Sequence, residues 1–438
     1  MNLRFRGEGK MLNARIVIYG CANSAACYKV RDFLTRNCAD YEWVELNTDE
    51  EARKLAGISG LTDSRLPLCV LSQNTKLYCP SLRDLAMALE WFKGPKYECY
   101  DLAIFGAGPA GLSAALYGAS EGLRTIVVER TAVGGQAGST SKIENYMGFP
   151  DGISGWELAS RARQQALRLG AEIIVGAEGV AGEHQDGWQL SWFASGERIA
   201  SKATICATGV EYTRLGLERE DYFLNRGLYY GAGSSEAGIC KGHVVIVGGG
   251  NSAGQAALNF ARQTQVTMLV RGECLKNTLS TYLLERIEDT SSIAVRTNST
   301  LTRLEGDDAL ERITYRDGVG NTAAIETHSV FVCIGGRPRL DWAEPGVLHC
   351  DPAGYILTGP DLDRSSLSAE MWADGRVPLL MESSIPGLFA AGDVRHNSTK
   401  RCAAAAGDGA AAVSMAHQFL LSGKHQLYGR AQSTLRQR

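Results

Sequence analysis

One short pattern occurs twice in this chain of 438 residues and restricts what the chain can fold into. Each copy consists of an apolar strand, a glycine-rich turn and an apolar helix. The two turns read Gly106-Ala107-Gly108-Pro109-Ala110-Gly111 and Gly248-Gly249-Gly250-Asn251-Ser252-Ala253. Glycines at this spacing allow a tight turn, a close approach of the backbone to a ligand, and close packing of the helix on the strand. The pattern predicts an α/β fold with two nucleotide-binding units of the Rossmann type.

The first copy has the features of an adenine dinucleotide site. A pyrophosphate is expected at the start of the helix after Gly108, because free N–H groups and the helix dipole favour negative charge there. Glu129, followed by Arg130, ends the next strand about twenty residues later, where a carboxylate can accept the ribose hydroxyls. We therefore assign the turn from Gly106 to Gly111, with Glu129 and Arg130, to a bound FAD.

The second copy differs where the ribose would bind. Its second strand, 266–270, ends without an acidic residue, and Arg271 and Lys276 follow instead. A carboxylate would repel a ribose 2′-phosphate, whereas cationic side chains would bind it. The second turn, with these two cations, is therefore predicted to hold NADPH. The alternative is that Arg271 and Lys276 are ordinary solvated surface charges.

The composition excludes several classes of partner. Hydrophobic residues make up 45% of the chain and the net charge is −3, so nothing points to nucleic acid or to an anionic membrane surface. The first ten residues are polar and basic without a following apolar run, and no stretch approaches the roughly 20 apolar residues of a membrane span. We expect a cytoplasmic protein.

The cysteines and histidines do not form a metal-binding pattern. Twelve cysteines are scattered without paired CxxC motifs, and the seven histidines are dispersed. Neither a metal site nor a Ser-His-Asp arrangement is predicted. His396 follows a motif described below and is a candidate proton donor, because histidine as a residue type can exchange protons near neutral pH.

Further motifs carry a resemblance to a known family. They are Gly134-Gly135-Gln136, Glu144-Asn145-Tyr-Met-Gly-Phe-Pro150, Ala207-Thr208-Gly209, Ile334-Gly335-Gly336, Phe389-Ala-Ala-Gly392-Asp393-Val-Arg395 and Ala406-Gly-Asp-Gly409. In this order and spacing the chain closely resembles the low-molecular-weight thioredoxin reductases from Cys99 to about Leu420. The resemblance implies a homodimer, with an FAD domain in two pieces and an inserted nicotinamide domain that swings relative to the flavin.

The resemblance also implies roles for individual residues. Gln136 and Asn145 would line the flavin, and Asp393 would bind the ribityl–pyrophosphate part of FAD. Arg401 and Cys402 would lie against the pyrimidine edge of the flavin. The remaining glycine and threonine positions implied by the motifs are Gly135, Thr208, Gly209 and Gly392 for FAD and Gly335 for NADPH.

The chain departs from this family at its redox-active CxxC. Alignment of the run Arg226-Gly-Leu-Tyr-Tyr230 places the two cysteine positions at Gly231 and Ser234. A serine cannot form a disulfide, so a dithiol relay is not expected there. Small residues at these positions are expected to leave room beside the flavin for another acceptor. Tyr229 and Tyr230 could stack on such a guest, although core packing is their commoner use.

The segment before the two nucleotide-binding units resembles a glutaredoxin-like thioredoxin fold. The resemblance rests on an opening strand, a cysteine-bearing turn into a helix, and Leu66-Pro67, which matches the family's cis-proline. Ser24-Ala-Ala-Cys27 aligns with the active-site CPYC, so Ser24 replaces the first cysteine. Cys27 with Cys21 could supply a substitute redox pair, since a helix N-terminus can lower a thiol pKa. The preferred interpretation, however, is a redox-inactive module for docking or dimer contacts.

Together these features predict five segments and three possible functions. The segments are a tail at 1–11, a glutaredoxin-like domain at 12–95, the FAD domain at 96–212 and 336–438, and the NADP domain at 213–335. The first function is an NADPH:FAD oxidoreductase that passes electrons to an unconventional acceptor, which is a small molecule, a protein redox partner or a second cofactor. The alternatives are a disulfide reductase acting through Cys27 with Cys21, and a non-catalytic redox sensor.

Overall fold

The computed structural model describes residues 16–22, 24–37, 39–71, 75–91, 94–140, 142–185, 187–231, 242–373 and 375–423. The chain divides into two compact units, of which the first ends at Leu85 and the second begins at Ala86. The expected tail at 1–11 lies outside the described residues. Both units combine helices with sheets, which confirms the predicted α/β class.

The first unit contains a four-stranded sheet in the order β2-β1-β3-β4. Its elements are β1 (Ile16–Gly20), α1 (Ala25–Arg36), β2 (Tyr41–Glu45), α2 (Asp49–Glu51), a π-helix (Ala52–Ala56), β3 (Leu68–Val70) and β4 (Lys76–Tyr78). Helix α3 (Leu82–Ala88) follows. Strand β1 is parallel to β2 and antiparallel to β3, and the Leu66–Pro67 peptide bond is cis as expected.

Helix α1 forms because its sequence has a cap and one apolar face. The Ser24 side chain accepts a hydrogen bond from the Cys27 N–H, which satisfies one of the free donors of the first turn. Val30, Phe33 and Leu34 are buried on the same side at helical spacing. The cap therefore fixes Cys27 in the first turn of the helix.

The second unit begins with a seven-stranded sheet. Its strands are β5 (Cys99–Phe105), β6 (Thr125–Glu129), β7 (Glu172–Val175), β8 (Gly179–Gln185), β9 (Trp188–Phe193), β10 (Arg198–Cys206) and β21 (Leu388–Ala390). The order is β7-β6-β5-β10-β9-β8, and β21 pairs with β10. The helices are α4 (Pro109–Ser120), α5 (Gly135–Gly138), α6 (Gly155–Arg168) and, near the end of the chain, α10 (Cys402–Leu421).

Between β10 and β21 the chain forms a second, five-stranded parallel sheet in the order β12-β19-β13-β14-β15. These strands are β12 (Leu228–Tyr230), β13 (Val244–Val247), β14 (Val266–Leu269), β15 (Ile293–Arg296) and β19 (Ser329–Val332). The helices of this region are α7 (Glu220–Phe223), α8 (Asn251–Phe260) and α9 (Thr281–Glu288). Every residue of β13, β14 and β19 is buried, as expected for a parallel sheet covered on both faces.

Two smaller sheets and three short helices complete the second unit. An antiparallel sheet contains β16 (Thr300–Glu305), β17 (Arg312–Arg316) and β18 (Thr322–Glu326). The two-stranded ribbon of β11 (Glu211–Tyr212) and β20 (Gly336–Arg337) lies where the chain leaves the first sheet and returns to it. The 3-10 helices are Gly359–Asp361, Arg364–Ser366 and Gly392–Val394. Within the described ranges, no helix is both long and apolar enough to span a bilayer.

Helices α4 and α10 approach each other closely because their contact contains small residues. A Cβ atom on Gly409 would lie 2.1 Å from the Ala110 carbonyl oxygen, so only glycine fits there. This packing brings the loop before α10, with Gly392 and Asp393, to the N-terminus of α4. The surroundings of the first glycine turn therefore include a helix, α10, that is distant from it in sequence.

We predict that Gly409→Ala destabilises the second unit, whereas Gly407→Ala in the same helix stabilises it slightly. A Cβ on Gly409 would overlap Ala110, but none of the surrounding atoms would lie within 4 Å of a Cβ on Gly407. Overpacking costs about 1–3 kcal/mol, and Gly→Ala at an open helix position gains up to about 1 kcal/mol. Urea unfolding of the two apoproteins measures both changes. Equal effects of the two substitutions would contradict the close helix contact.

Candidate functional site

The first glycine turn combines close backbone packing with one open position. A Cβ on Gly106 would lie 2.3 Å from the Ala207 carbonyl oxygen, and one on Gly111 would lie 1.8 Å from the Gly106 oxygen. Gly106 also has φ +101°, which favours glycine. Gly108, by contrast, has open space where a Cβ would be. The turn is therefore packed against the sheet on one side and accessible to a ligand at Gly108.

Glu129 holds the glycine turn against the end of β6. Its carboxylate is buried and accepts hydrogen bonds from the N–H groups of Ala107 (2.8 Å), Thr131 (2.8 Å) and Ala132 (3.2 Å). Only the bond from Ala107 goes to Oε2, so this oxygen keeps a lone pair for a ribose hydroxyl. Sequence reasoning assigned Glu129 to the ribose alone and missed that it also organises the turn.

Two distant segments meet the start of α4. A Cβ on Gly135 would lie 3.1 Å from the Gly108 Cα, and one on Gly392 would lie 2.9 Å from the Ala110 Cβ. Both glycines have positive φ, of +56° and +74°. The glycine turn, Gly135 and Gly392 thus surround the N-terminus of α4, the place where a pyrophosphate is favoured.

Asp393 fits the role of a group that binds a hydroxyl-bearing ligand. Its side chain is partly buried, and its carboxylate accepts no hydrogen bond from the residues that the structure describes. Burial raises the pKa of Asp393, the Asp408 carboxylate raises it further, and the Lys400 ammonium opposes them. A buried carboxylate without a donor is costly unless a partner binds it. The ribityl hydroxyls of FAD would supply such donors.

Asp408 is a second carboxylate that sequence reasoning missed. It forms an ion pair of 3.1 Å with Arg395 and accepts a hydrogen bond of 3.2 Å from the Gly392 N–H. It therefore fixes the loop that carries Asp393. The signal lay in two motifs already noted, Gly392-Asp393-Val-Arg395 and Gly407-Asp408-Gly409.

The four residues expected along the flavin have different environments in the structure. Gln136 donates a hydrogen bond of 2.5 Å to the Val210 carbonyl oxygen, while Asn145 is exposed. Arg401 caps α10, and Cys402 begins it. Burial and the Asp393 carboxylate raise the pKa of Cys402, so this thiol stays protonated near neutral pH.

Three other expected FAD residues border this region. The Thr208 hydroxyl lies 3.4 Å from the Cys206 Sγ, and Gly209 has φ +67°. Arg130 forms ion pairs with Glu211 (2.8 Å) and Glu178 (3.4 Å). These contacts link β6 to the two-stranded ribbon, so Arg130 is engaged by the protein in this structure.

The second glycine turn, like the first, combines a closely packed glycine with an open one. Gly248 has φ +143°, and a Cβ there would lie 2.3 Å from the Cys333 carbonyl oxygen. Gly250, the residue before α8, has open space at its Cβ position. The Asn251 side chain accepts a hydrogen bond of 2.8 Å from the Ser280 N–H and so fixes the start of α9.

The other predicted NADPH positions surround this turn. Ser252 is exposed in the first turn of α8, Ala253 is fully buried, and Gly335 has φ +89° just after β19. Arg271 and Lys276 are exposed beyond the carboxyl end of β14, and neither forms an ion pair within the described part of the chain. Both cations are therefore available to a phosphate on the ribose.

Gly231 does not leave open space, contrary to the sequence-based expectation. It follows β12 with φ +78°, and a Cβ there would lie 2.3 Å from the Tyr212 hydroxyl oxygen. The phenol of Tyr212 therefore fills the position that a side chain at residue 231 would need. Ser234, the other position of interest, lies outside the described residues.

Tyr229 and Tyr230, the candidates for stacking on a guest, have the commoner role of core packing. Tyr229 stacks on Phe331 with ring centroids 5.1 Å apart. The Tyr230 hydroxyl accepts a hydrogen bond of 2.8 Å from the Leu215 N–H and donates to the buried Glu220. Core packing and this anchoring leave neither ring free to stack on a ligand.

In the first unit, Cys27 and Cys21 are both free thiols. Cys27 is 1% exposed, and burial raises its pKa; Cys21 is partly exposed, and burial raises its pKa as well. The Cys27 Sγ lies over Gly20, whereas the Cys21 thiol lies 3.8 Å from the Leu61 carbonyl oxygen. The two thiols are not joined, but they interact, because the Cys27 thiol adds to the rise in the pKa of Cys21.

His396 has a carboxylate partner in the second unit. Its Nδ1 lies 2.7 Å from Asp351 Oδ2, so the ring orientation is fixed. Among the residues covered by the structure, no group of three or more His, Cys, Asp or Glu side chains is arranged to hold a metal ion.

Comparisons with known proteins agree with this geometry. Residues 100–409 match the family model described as pyridine nucleotide-disulphide oxidoreductase. The chain is 33% identical to the thioredoxin reductase of Treponema pallidum, over 73% of this chain and 97% of that protein. It is 32% identical to the thioredoxin reductase of Mycolicibacterium smegmatis, over 73% of this chain and 96% of that protein.

Solved structures give the same result. The crystal structure of Lactococcus lactis thioredoxin reductase superposes with a TM-score of 0.65 at 27% identity, covering 74% of this chain and 99% of that chain. The prediction of an FAD-dependent NAD(P)H oxidoreductase, with FAD and NADPH as cofactors, is confirmed at the level of the family. Taken with the two glycine turns, these matches show that the chain belongs to the thioredoxin reductase family of pyridine nucleotide-disulphide oxidoreductases.

Proposed function

We propose that this protein is an NADPH-dependent FAD oxidoreductase that works without a dithiol beside its second glycine turn. The observation that carries the proposal is the contact between Tyr212 and Gly231. Gly231 aligns with the first cysteine of the family, and the Tyr212 hydroxyl occupies the volume that a cysteine side chain would need. The second position holds Ser234, whose hydroxyl cannot form a disulfide.

The cofactors would be held by the two glycine turns and their neighbours. The first turn, Glu129, Gly135 and Asp393 would hold FAD, and the second turn with Arg271 and Lys276 would hold NADPH. When bound, FAD takes a hydride equivalent from NADPH and passes two electrons to an acceptor. The protein's own groups position the two dinucleotides and supply charge. The acceptor is a small molecule or a second cofactor rather than a disulfide beside Gly231.

We assign residues 12–95 to a glutaredoxin-like domain. Residues 96–212 and 336–438 form the FAD domain, and residues 213–335 form the NADP domain. Support for the first comes from the sheet order β2-β1-β3-β4, the cis Leu66–Pro67 bond and the position of Cys27 at the start of α1. Because Ser24 replaces the first active-site cysteine, this domain serves docking or dimer contacts in a cytoplasmic homodimer.

A disulfide reductase acting through Cys27 is the second candidate function. One observation favours it: burial is the main cause of the raised pKa of Cys27, and both Cys21 and the exposed Cys79 lie near enough to interact with this thiol. Cys79 also donates its N–H to the Pro67 carbonyl oxygen at 2.9 Å, so it lies beside the cis-proline. In this function Cys79 or Cys21 would exchange with a substrate disulfide, and Cys27 would displace the product thiol.

The double substitution Arg271→Ala and Lys276→Ala is expected to raise the KM for NADPH about tenfold or more and to leave the KM for NADH unchanged. A charge-assisted hydrogen bond contributes about 1.5–3 kcal/mol, and NADH lacks the 2′-phosphate that would receive it. Steady-state kinetics with a quinone acceptor measures both constants. Arg303→Ala, at an exposed position on β16, is the control and should change neither. An equal loss with both nucleotides would contradict the assignment.

Cys27→Ser separates the two candidate functions. The proposed function predicts that the variant keeps NADPH-dependent quinone reduction and that neither it nor the wild type reduces cystine at a significant rate. The second candidate predicts cystine reduction by the wild type and its loss in the variant. Cys99→Ser, which changes an exposed thiol at the start of β5, is the control for general effects of removing a cysteine.

A further inference from the structure

The order of the strands in the five-stranded parallel sheet indicates on which side of β13 each end of a bound dinucleotide lies. The glycine turn at 248–250 joins β13 to α8, and the pyrophosphate is expected at the start of that helix. Arg271 and Lys276 follow β14, on one side of β13, and mark the adenosine end. The nicotinamide end must therefore extend to the other side, over β19 and then β12, because the strand order is β12-β19-β13-β14.

Gly231 lies at this nicotinamide end. It directly follows β12, and its N–H donates to the Val332 carbonyl oxygen at 2.9 Å, at the end of β19. It has φ +78° and carries no side chain of its own. Whatever ring or group is present at this edge of the sheet must therefore come from elsewhere in the chain or from a ligand.

Tyr212 supplies a ring at this position from outside the sheet. It belongs to the β11–β20 ribbon, yet its hydroxyl oxygen and Cζ lie 2.3 and 2.7 Å from the Cβ position of Gly231. Its ring centroid is 6.3 Å from that of Tyr230, with 35° between the ring planes. Tyr230 is itself anchored through its hydroxyl to Leu215 and Glu220. The Tyr212 ring thus lies beside an anchored neighbour and is itself partly exposed.

We propose that Tyr212 positions the nicotinamide ring of NADPH and takes the place that a side chain at residue 231 would otherwise occupy. A phenol ring offers a flat face to a flat heteroaromatic ring, and such stacking contributes affinity and orientation. The nicotinamide ring carries positive charge after hydride loss, which an aromatic face also favours. This inference rests on the proposed function, since it needs NADPH as the reductant.

The test compares Tyr212→Ala and Tyr212→Phe by anaerobic stopped-flow reduction of the holoenzyme. Tyr212→Ala is expected to weaken NADPH binding about two- to tenfold, the range for one aromatic contact, and to slow flavin reduction by NADPH. Tyr212→Phe should restore both, because it keeps the ring. Reduction by dithionite should be the same in all variants, since it does not use the nicotinamide site. Tyr315→Ala, a partly buried tyrosine on β17, is the control.

A double-mutant cycle tests the contact itself. Gly231→Ala should lower the thermal midpoint more in the wild type than in the Tyr212→Ala background, because the clash with the phenol is then absent. The strain from positive φ is equal in both backgrounds and cancels in the comparison. Equal NADPH kinetics in the wild type and Tyr212→Ala would overturn the inference while leaving the proposed function intact. A wild-type flavin that NADPH does not reduce would instead overturn the proposed function.

Discussion

The structure depends on one steric constraint, the absence of Cβ atoms where α4 begins. Gly106 and Gly111 let the turn lie directly against the Ala207 carbonyl and against itself, and Gly409 lets α10 approach Ala110. A methyl group at any of these positions would overlap backbone atoms. Because the helix start is held this tightly, its free N–H groups are kept in one place, which Gly135 and Gly392 also adjoin. The same logic fixes Gly248 against Cys333 in the second turn.

Sequence alone predicted the parts of the fold that local pattern controls. The α/β class and both glycine turns follow from short stretches of chain, in which spacing and residue type determine the conformation. The cis peptide bond before Pro67 was implied by the resemblance of the first segment to a glutaredoxin-like fold. The availability of Arg271 and Lys276 to a ribose phosphate also follows from local sequence, because the strand before them ends without an acidic residue. Their contribution to cofactor choice stays a prediction until nucleotide affinities are measured.

What sequence could not predict depends on segments that are distant in the chain. Gly231 suggested an open space, but the Tyr212 ring from β11 fills it, and no local pattern indicates that approach. The sequence left open whether Tyr230 stacks on a guest or packs in the core, and the structure shows that Glu220 anchors its hydroxyl. Glu129 and Asp408 organise loops through bonds to backbone N–H groups, which single-sequence patterns do not distinguish from direct ligand binding. In each case the residue type suggested a role in ligand binding, but a tertiary contact determined the actual role.

The central claim is that NADPH reduces FAD and that the electrons leave the flavin without passing through a dithiol beside Gly231. The most direct measurement is an anaerobic reductive titration of the purified holoenzyme, counting the electrons taken up per flavin. The account predicts complete loss of the oxidised flavin absorbance with NADPH and an uptake of two electrons per flavin, because FAD is the sole redox group. Uptake of four electrons would reveal a redox-active disulfide and contradict the account, as would a flavin that NADPH leaves oxidised.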